Sequence, residues 1–252
     1  WETHRINVSA LSTLAVYLDA PPDLNPKNVL DPLPSELDNR WTVELVSEYI
    51  EASKDFARDT KFMEFFHSQE ELYSRATMNL KRCLDDENMI EWFRDYFGYV
   101  PNNYTIIIGM QTGWGNYGAS ISSQDSTREF YSIIGAHAPF FWNDVPRFSS
   151  KDVTWIVVHE FCHPYINPLV ENQRELFREA GELLYPYHEE VLSKTGTLRW
   201  DHMINEYIVR ACVIRYFNAK NDMRSVRGQI KYDERYGYID IKALSELFEE
   251  LL

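Results

Sequence analysis

The residues best placed to do chemistry in this sequence are His159, Glu160 and His163, in the run His159-Glu160-Phe161-Cys162-His163. On an α-helix, residues four apart lie one above the other on the same face, so the two imidazoles can present nitrogens to one metal ion. Two imidazoles with a neighbouring carboxylate suit zinc, and Glu160 is placed to take a proton from a water acidified by the metal. The expectation is therefore a zinc site held by His159 and His163, with Glu160 as general base rather than ligand. The plain alternative is an accidental pair of helix histidines, and three features oppose it. Val153, Trp155, Ile156, Val157 and Val158 make the preceding helix apolar nearly all round, as in a helix buried at a domain centre. Phe161 and Cys162 bring no unpaired charge into that core. Ser149 or Ser150 supplies an N-cap, with Asp152 in the favourable first turn.

Pro164 directly follows His163 and cannot donate to the Glu160 carbonyl, so the helix is expected to end or kink there.

A catalytic zinc needs a third protein ligand and one open position. A third histidine six residues beyond His163, with a glycine midway, would fall where Leu169 and Ile166 stand. A downstream carboxylate is the remaining common solution. Glu206 lies in the apolar setting of Ile204, Ile208, Val209 and Val213, where a carboxylate is costly unless paired or bound to metal. Its competing reading is a helix ion pair with Arg210, four residues on. Glu179, Glu182, Glu189 and Asp201 are alternative ligands on more polar stretches. His202 precedes Glu206 by one helical turn and is a candidate oxyanion stabiliser, or equally a solvated or core histidine. Tyr165, Tyr185 and Tyr207 are phenolic donors or, more simply, packing residues. The segment holding Asn116, Tyr117, Gly118 and Ala119 reads either as an edge strand that pairs with an extended substrate or as a Gly-rich hairpin turn.

The elements that must carry these groups follow from pattern. Arg5 to Val8 reads as a short strand and Ala10 to Leu18 as helix, followed by a loop punctuated by Pro21, Pro22, Pro26, Pro32 and Pro34. Helical spacing from Trp41 to Phe97 predicts two to four amphipathic helices. Tyr104 to Ile108, Tyr117 to Ser122 and Glu129 to Ala136 predict a small sheet. Helix resumes over Val153 to His163, Glu171 to Leu184, Leu198 to Phe217 and Ile241 to Leu252. Residues 1–98 are expected to be a mainly helical region packed on a metal-binding core of 99–252, or the two to be one continuous domain.

Charge and composition narrow the function. A formal net charge of -14, without a run of Lys or Arg, opposes nucleic acid as a partner. No apolar stretch is long enough for a transmembrane segment, so a soluble protein is expected. Three cysteines are too few and too scattered for a disulfide framework or a Cys-based zinc site, and are read as mostly buried thiols.

His159 to His163 joined to Glu206 resembles the gluzincin branch of the zincin metallopeptidases, in which a second helix donates the glutamate. More narrowly, His159 through Pro168 and Asn205 through Ala211 are similar to the bacterial DUF4932 family. That resemblance implies an extracytoplasmic, metallopeptidase-like protein and brings no substrate with it; the peptide or protein substrate comes from the zinc-hydrolase reading. It departs from better-known gluzincins at Arg210, where an aspartate is frequent and where a guanidinium cannot orient a histidine as a carboxylate would. The expected fold is α+β, helix-rich and zincin-like, with a small mixed β-sheet over the HExxH helix and a substrate groove between them. The expected function is zinc-dependent hydrolysis of a peptide bond. The competing classes are a zinc-stabilised binding protein without turnover and an aromatic-rich surface carbohydrate-binding module.

Overall fold

The structure, a computed structural model, describes residues 6–85, 87–123, 127–136, 141–142 and 145–250. The fold is α+β and helix-rich, with a small mixed three-stranded sheet. The chain clusters into two compact units, residues 1–87 with 101–160 and residues 88–100 with 161–252.

In the first unit, helices α1 (Val8–Ala15), α2 (Val43–Asp59), α3 (Phe62–Ser68) and α4 (Glu70–Leu84) precede strands β1 (Asn103–Gly109), β2 (Tyr117–Ser122) and β3 (Arg128–Gly135). The strand expected over Arg5 to Val8 is not there. Arg5 lies outside the described residues, and Asn7 instead caps α1, its Oδ1 accepting from the Ala10 N–H at 3.1 Å. An Asx side chain ahead of helix-compatible residues favours the cap over the strand. β3 is central, parallel to β1 and antiparallel to β2, in the order β1-β3-β2. Ala119 and Ile121 of β2 and Tyr131 and Ile133 of β3 alternate onto one face and are buried with Leu14, Tyr17, Trp41, Val46 and Ile50. Trp41 Nε1 donates to the Ala10 carbonyl at 3.1 Å and the Tyr17 hydroxyl to the Ser120 carbonyl at 2.8 Å, satisfying buried polar groups across this core. A short ladder, β4 (Phe141–Trp142) with β5 (Val145–Pro146), leads towards the next helix.

Helix α6 runs unbroken over Ser150–Asn172, with Pro164 and Pro168 inside it. The helix therefore does not end at Pro164, as one branch of the expectation had it. A proline in a helix interior costs roughly 3 kcal/mol, and aromatic packing outweighs it here. Tyr165 is buried and stacks on Phe97 of α5 (Met89–Phe97) at 4.1 Å and 6°. Phe93 and Tyr99 flank the same ring, and the Tyr165 hydroxyl donates to the Tyr99 carbonyl at 3.2 Å.

In the second unit, α7 (Arg174–Leu192), α9 (Met223–Arg235) and α10 (Ile241–Glu250) pack on α8 (Trp200–Ala219). Residues 251–252, expected to extend the last helix, lie outside the described residues. Helix α8 is buried on several faces by Met203, Tyr207, Val209, Val213, Ile214 and Phe217, which makes it the centre of the bundle. The units do not coincide with the expected segments 1–98 and 99–252. Helix α5 groups with the last helices because Trp92 packs edge-on to Tyr216 and Phe93 edge-on to Phe161, whereas the strands group with α1 through their shared core. Cys162 and Cys212 are buried and Cys83 half-buried, and none of the three is in a disulfide.

Candidate metal centre

Helix α6 delivers the histidines. Its start is fixed by Ser149, whose hydroxyl accepts from the Asp152 N–H at 3.2 Å and donates to the Asp152 carboxylate at 2.5 Å. Ile156, Val157 and Val158 anchor the following turn in the interior, and His159 and Glu160 emerge from it each only 6% exposed. One turn on, His163 is steadied by Asn167, its Nδ1 lying 3.1 Å from Asn167 Oδ1. An amide oxygen only accepts, so Nδ1 carries the proton in this contact and Nε2 keeps its lone pair for a ligand.

Helix α8 delivers the carboxylate. Glu206 Oε1 lies 3.4 Å from His163 Nε2. That is longer than the roughly 2.7–2.9 Å of a charge-assisted hydrogen bond. It matches the separation of about 3.4 Å between two donors bound tetrahedrally to zinc at about 2.1 Å. His159, His163 and Glu206 each offer a ligand atom, and these atoms all lie within 4.8 Å of one another. Nitrogen, nitrogen and oxygen donors that converge in this way can hold a metal ion, and the set leaves a fourth tetrahedral position for water or substrate. Glu206 does not turn away to pair with Arg210 alone. It faces His163 with Oε1 and Arg210 with Oε2.

Compared with known protein families, residues 5–251 match the model described as Domain of unknown function (DUF4932). The chain belongs to the DUF4932 family. No curated protein and no solved structure matches it. The family match runs through both expected segments, 1–98 and 99–252, as one stretch.

The other candidates of this DUF4932 chain are placed as follows. Asp201 is closed off by arginines: Arg174 Nη1 donates to it at 2.7 Å, Arg199 Nε at 2.9 Å, and Arg199 Nη2 also contacts it. Burial alone would raise the Asp201 pKa, but these hydrogen bonds and charges overcome it and hold the carboxyl at about 2. Glu179, Glu182 and Glu189 are exposed on α7, outside the converging group. His202 is exposed one turn before Glu206 and is likewise outside that group. The Tyr185 hydroxyl donates to the Thr197 carbonyl at 3.2 Å, and Tyr207 is buried.

The Gly-rich segment before Tyr117 is not the hairpin turn of one reading, because β1 and β2 flank β3 without pairing with each other. β2 is an edge strand, and the turn before it is tied down by Asn116, whose Oδ1 accepts from the Gly135 N–H at 3.0 Å. Gly135 is needed there, since a Cβ would meet the Gly113 carbonyl oxygen at 2.3 Å and that of Gly115 at 2.7 Å. Further along β2, the Ser120 and Ser122 carbonyls accept from the Tyr17 hydroxyl and from Asn28 Nδ2. The outer edge of the strand is therefore engaged by the chain itself beyond Ala119. At its start, Tyr117 is half-buried, and burial and then the Glu160 charge raise its phenol pKa.

Behind Glu206, sequence reasoning named Arg210 but missed Asp233, Gln229 and Tyr238. Arg210 donates to Glu206 Oε2 through Nε at 3.1 Å and Nη2 at 3.0 Å, and to Asp233 Oδ1 through Nη1 at 2.6 Å. Asp233 is fully buried on α9, and Gln229 Nε2 donates to both its oxygens at 3.0 Å. The guanidinium also lies 4.3 Å over the Tyr238 ring. Burial opposes the Arg210 charge, and Glu206, Tyr238 and Asp233 more than offset it, so its pKa is raised. Burial pushes the Asp233 carboxyl above its usual range. One signal was available: Val226, Gln229, Ile230 and Asp233 have helical spacing, although two of the four are polar.

Proposed function

We propose that this DUF4932 chain is a zinc-dependent hydrolase, a metallopeptidase in which His159, His163 and Glu206 hold the metal. The observation that carries the reading is the convergence of these three donors, with the 3.4 Å spacing of His163 Nε2 and Glu206 Oε1 expected of tetrahedral ligands. Two carboxylates, Glu206 and Asp233, face one guanidinium in this network, so a cation beside the histidines improves its charge balance. When bound, zinc supplies a Lewis acid for the scissile carbonyl and acidifies a water. Glu160, six per cent exposed beside His159, would take a proton from the attacking water and pass it to the leaving amine. The start of β2, near Asn116 to Ala119, offers an edge for an extended peptide, and Tyr117 there senses the Glu160 charge. His202 remains the candidate for the developing oxyanion.

The fitting substrate is a peptide or protein. We propose a location outside the cytoplasm on the resemblance to the DUF4932 family alone; no described helix is long and apolar enough to cross a membrane. The test is metal analysis of the purified protein with and without His159→Ala and His163→Ala, together with hydrolysis of an unstructured protein such as casein. Near-stoichiometric zinc that both substitutions abolish, with Glu160→Gln keeping the metal and losing hydrolysis, supports the reading. A folded protein that refuses added zinc overturns it, and chelator-sensitive stability without turnover would instead mark a zinc-stabilised binding protein. A carbohydrate-binding module would show no dependence on metal at all.

A further inference from the structure

Glu206 has two oxygens that a metal can take, and only one of them is presented to His163. The other, Oε2, receives both Nε and Nη2 of Arg210, a two-nitrogen grip on a single atom. Arg210 is not free to relax that grip. Its third nitrogen is pinned by Asp233 at 2.6 Å, its plane lies against Tyr238, and its side chain is 14% exposed. Asp233 is in turn fixed by Gln229 through both carboxylate oxygens. Glu206 and Arg210 sit on α8 and Gln229 and Asp233 on α9, so the hydrogen-bonded chain runs between regular helices, with Tyr238 in the turn after α9.

We propose that Arg210, locked by Asp233, is a positioning residue that restricts Glu206 to one-oxygen ligation of the metal and so preserves the open position a reacting water needs. This rests on the metallopeptidase reading above. A carboxylate without such a partner readily binds through both oxygens, which fills a coordination site and weakens the Lewis acid. His163 is steadied separately, by Asn167, so the Arg210 network acts on the carboxylate. Lysine would keep the charge but lose the planar two-nitrogen contact.

The experiment uses the full chain loaded with cobalt(II), whose visible absorption is intense in four-coordinate sites and weak in five- or six-coordinate ones. Arg210→Met/Asp233→Asn removes the grip without leaving a buried carboxylate unpaired, and Arg210→Lys is the milder second variant should the double one not fold. The expected result is an intense four-coordinate spectrum in the unaltered protein, a marked loss of intensity in the variants, and zinc affinity lowered about 10- to 100-fold. Folded variants with unchanged spectra and unchanged zinc affinity would overturn the positioning role while leaving the metal site standing. An unaltered protein that takes up neither cobalt nor zinc would overturn both.

Discussion

Replacing Asp201 by asparagine removes a charge from a carboxylate that two arginines hold outside the metal centre. The side chain is 7% exposed and is held by Arg174 and Arg199. Its pKa is lowered from 3.8 to about 2, and a depression of nearly two units corresponds to about 2 kcal/mol of folding free energy. Because the folded-state pKa lies below the unfolded one, this contribution is fully present above about pH 4 and is lost as pH falls towards 2. Asp201→Asn should therefore cost about 2 kcal/mol at pH 7 in urea unfolding, with the gap to the unaltered protein closing between pH 4 and pH 2. Arg199 is 49% exposed, so 1 M NaCl should narrow the gap at pH 7 as well. A gap that stays constant down to pH 2, or one below about 0.5 kcal/mol at pH 7, would refute the attribution to this ion pair. Zinc content should be unchanged in the same variant, since Asp201 is not among the converging donors; loss of zinc would move the third ligand from Glu206 to Asp201.

Glu206→Gln should lower zinc affinity by at least tenfold, whereas Glu179→Gln and Glu182→Gln, both exposed on α7, should leave it as it was; competition with a chromogenic chelator reads both. Phe93 is fully buried against Phe161 and Tyr165, so Phe93→Ala should cost about 3–5 kcal/mol in urea unfolding, and a cost below about 1 kcal/mol would deny that this cluster holds α6 through its prolines. Gly135→Ala should lower the melting temperature by several degrees, because its Cβ would press on the Gly113 and Gly115 carbonyl oxygens; a neutral result would mean that the turn before β2 moves freely.

The sequence by itself determined the parts of this protein that depend on local spacing. The i and i+4 histidines share a face on any helix, a serine cap at Ser149 or Ser150 with Asp152 reads from residue type, and alternation in Tyr117 to Ser122 and the aromatic and β-branched residues of Glu129 to Ala136 announce strands. The apolar flanks of Glu206 marked it because a buried carboxylate needs a partner wherever the helix goes. Tertiary structure alone decided the rest. Pro164 and Pro168 stay inside α6 because Tyr165 is clamped by Phe93, Phe97 and Tyr99, residues more than sixty positions away whose contact no local rule can foresee. Whether Glu206 turns to Arg210 or to His163 was undecidable from four-residue spacing, which is equally consistent with a plain ion pair. The answer, that it does both, depends on Asp233. That residue sits on the buried face of a helix whose inward positions are half polar, so hydrophobic periodicity passes it over, and only the packing of α9 on α8 brings its carboxylate to the guanidinium that holds Glu206.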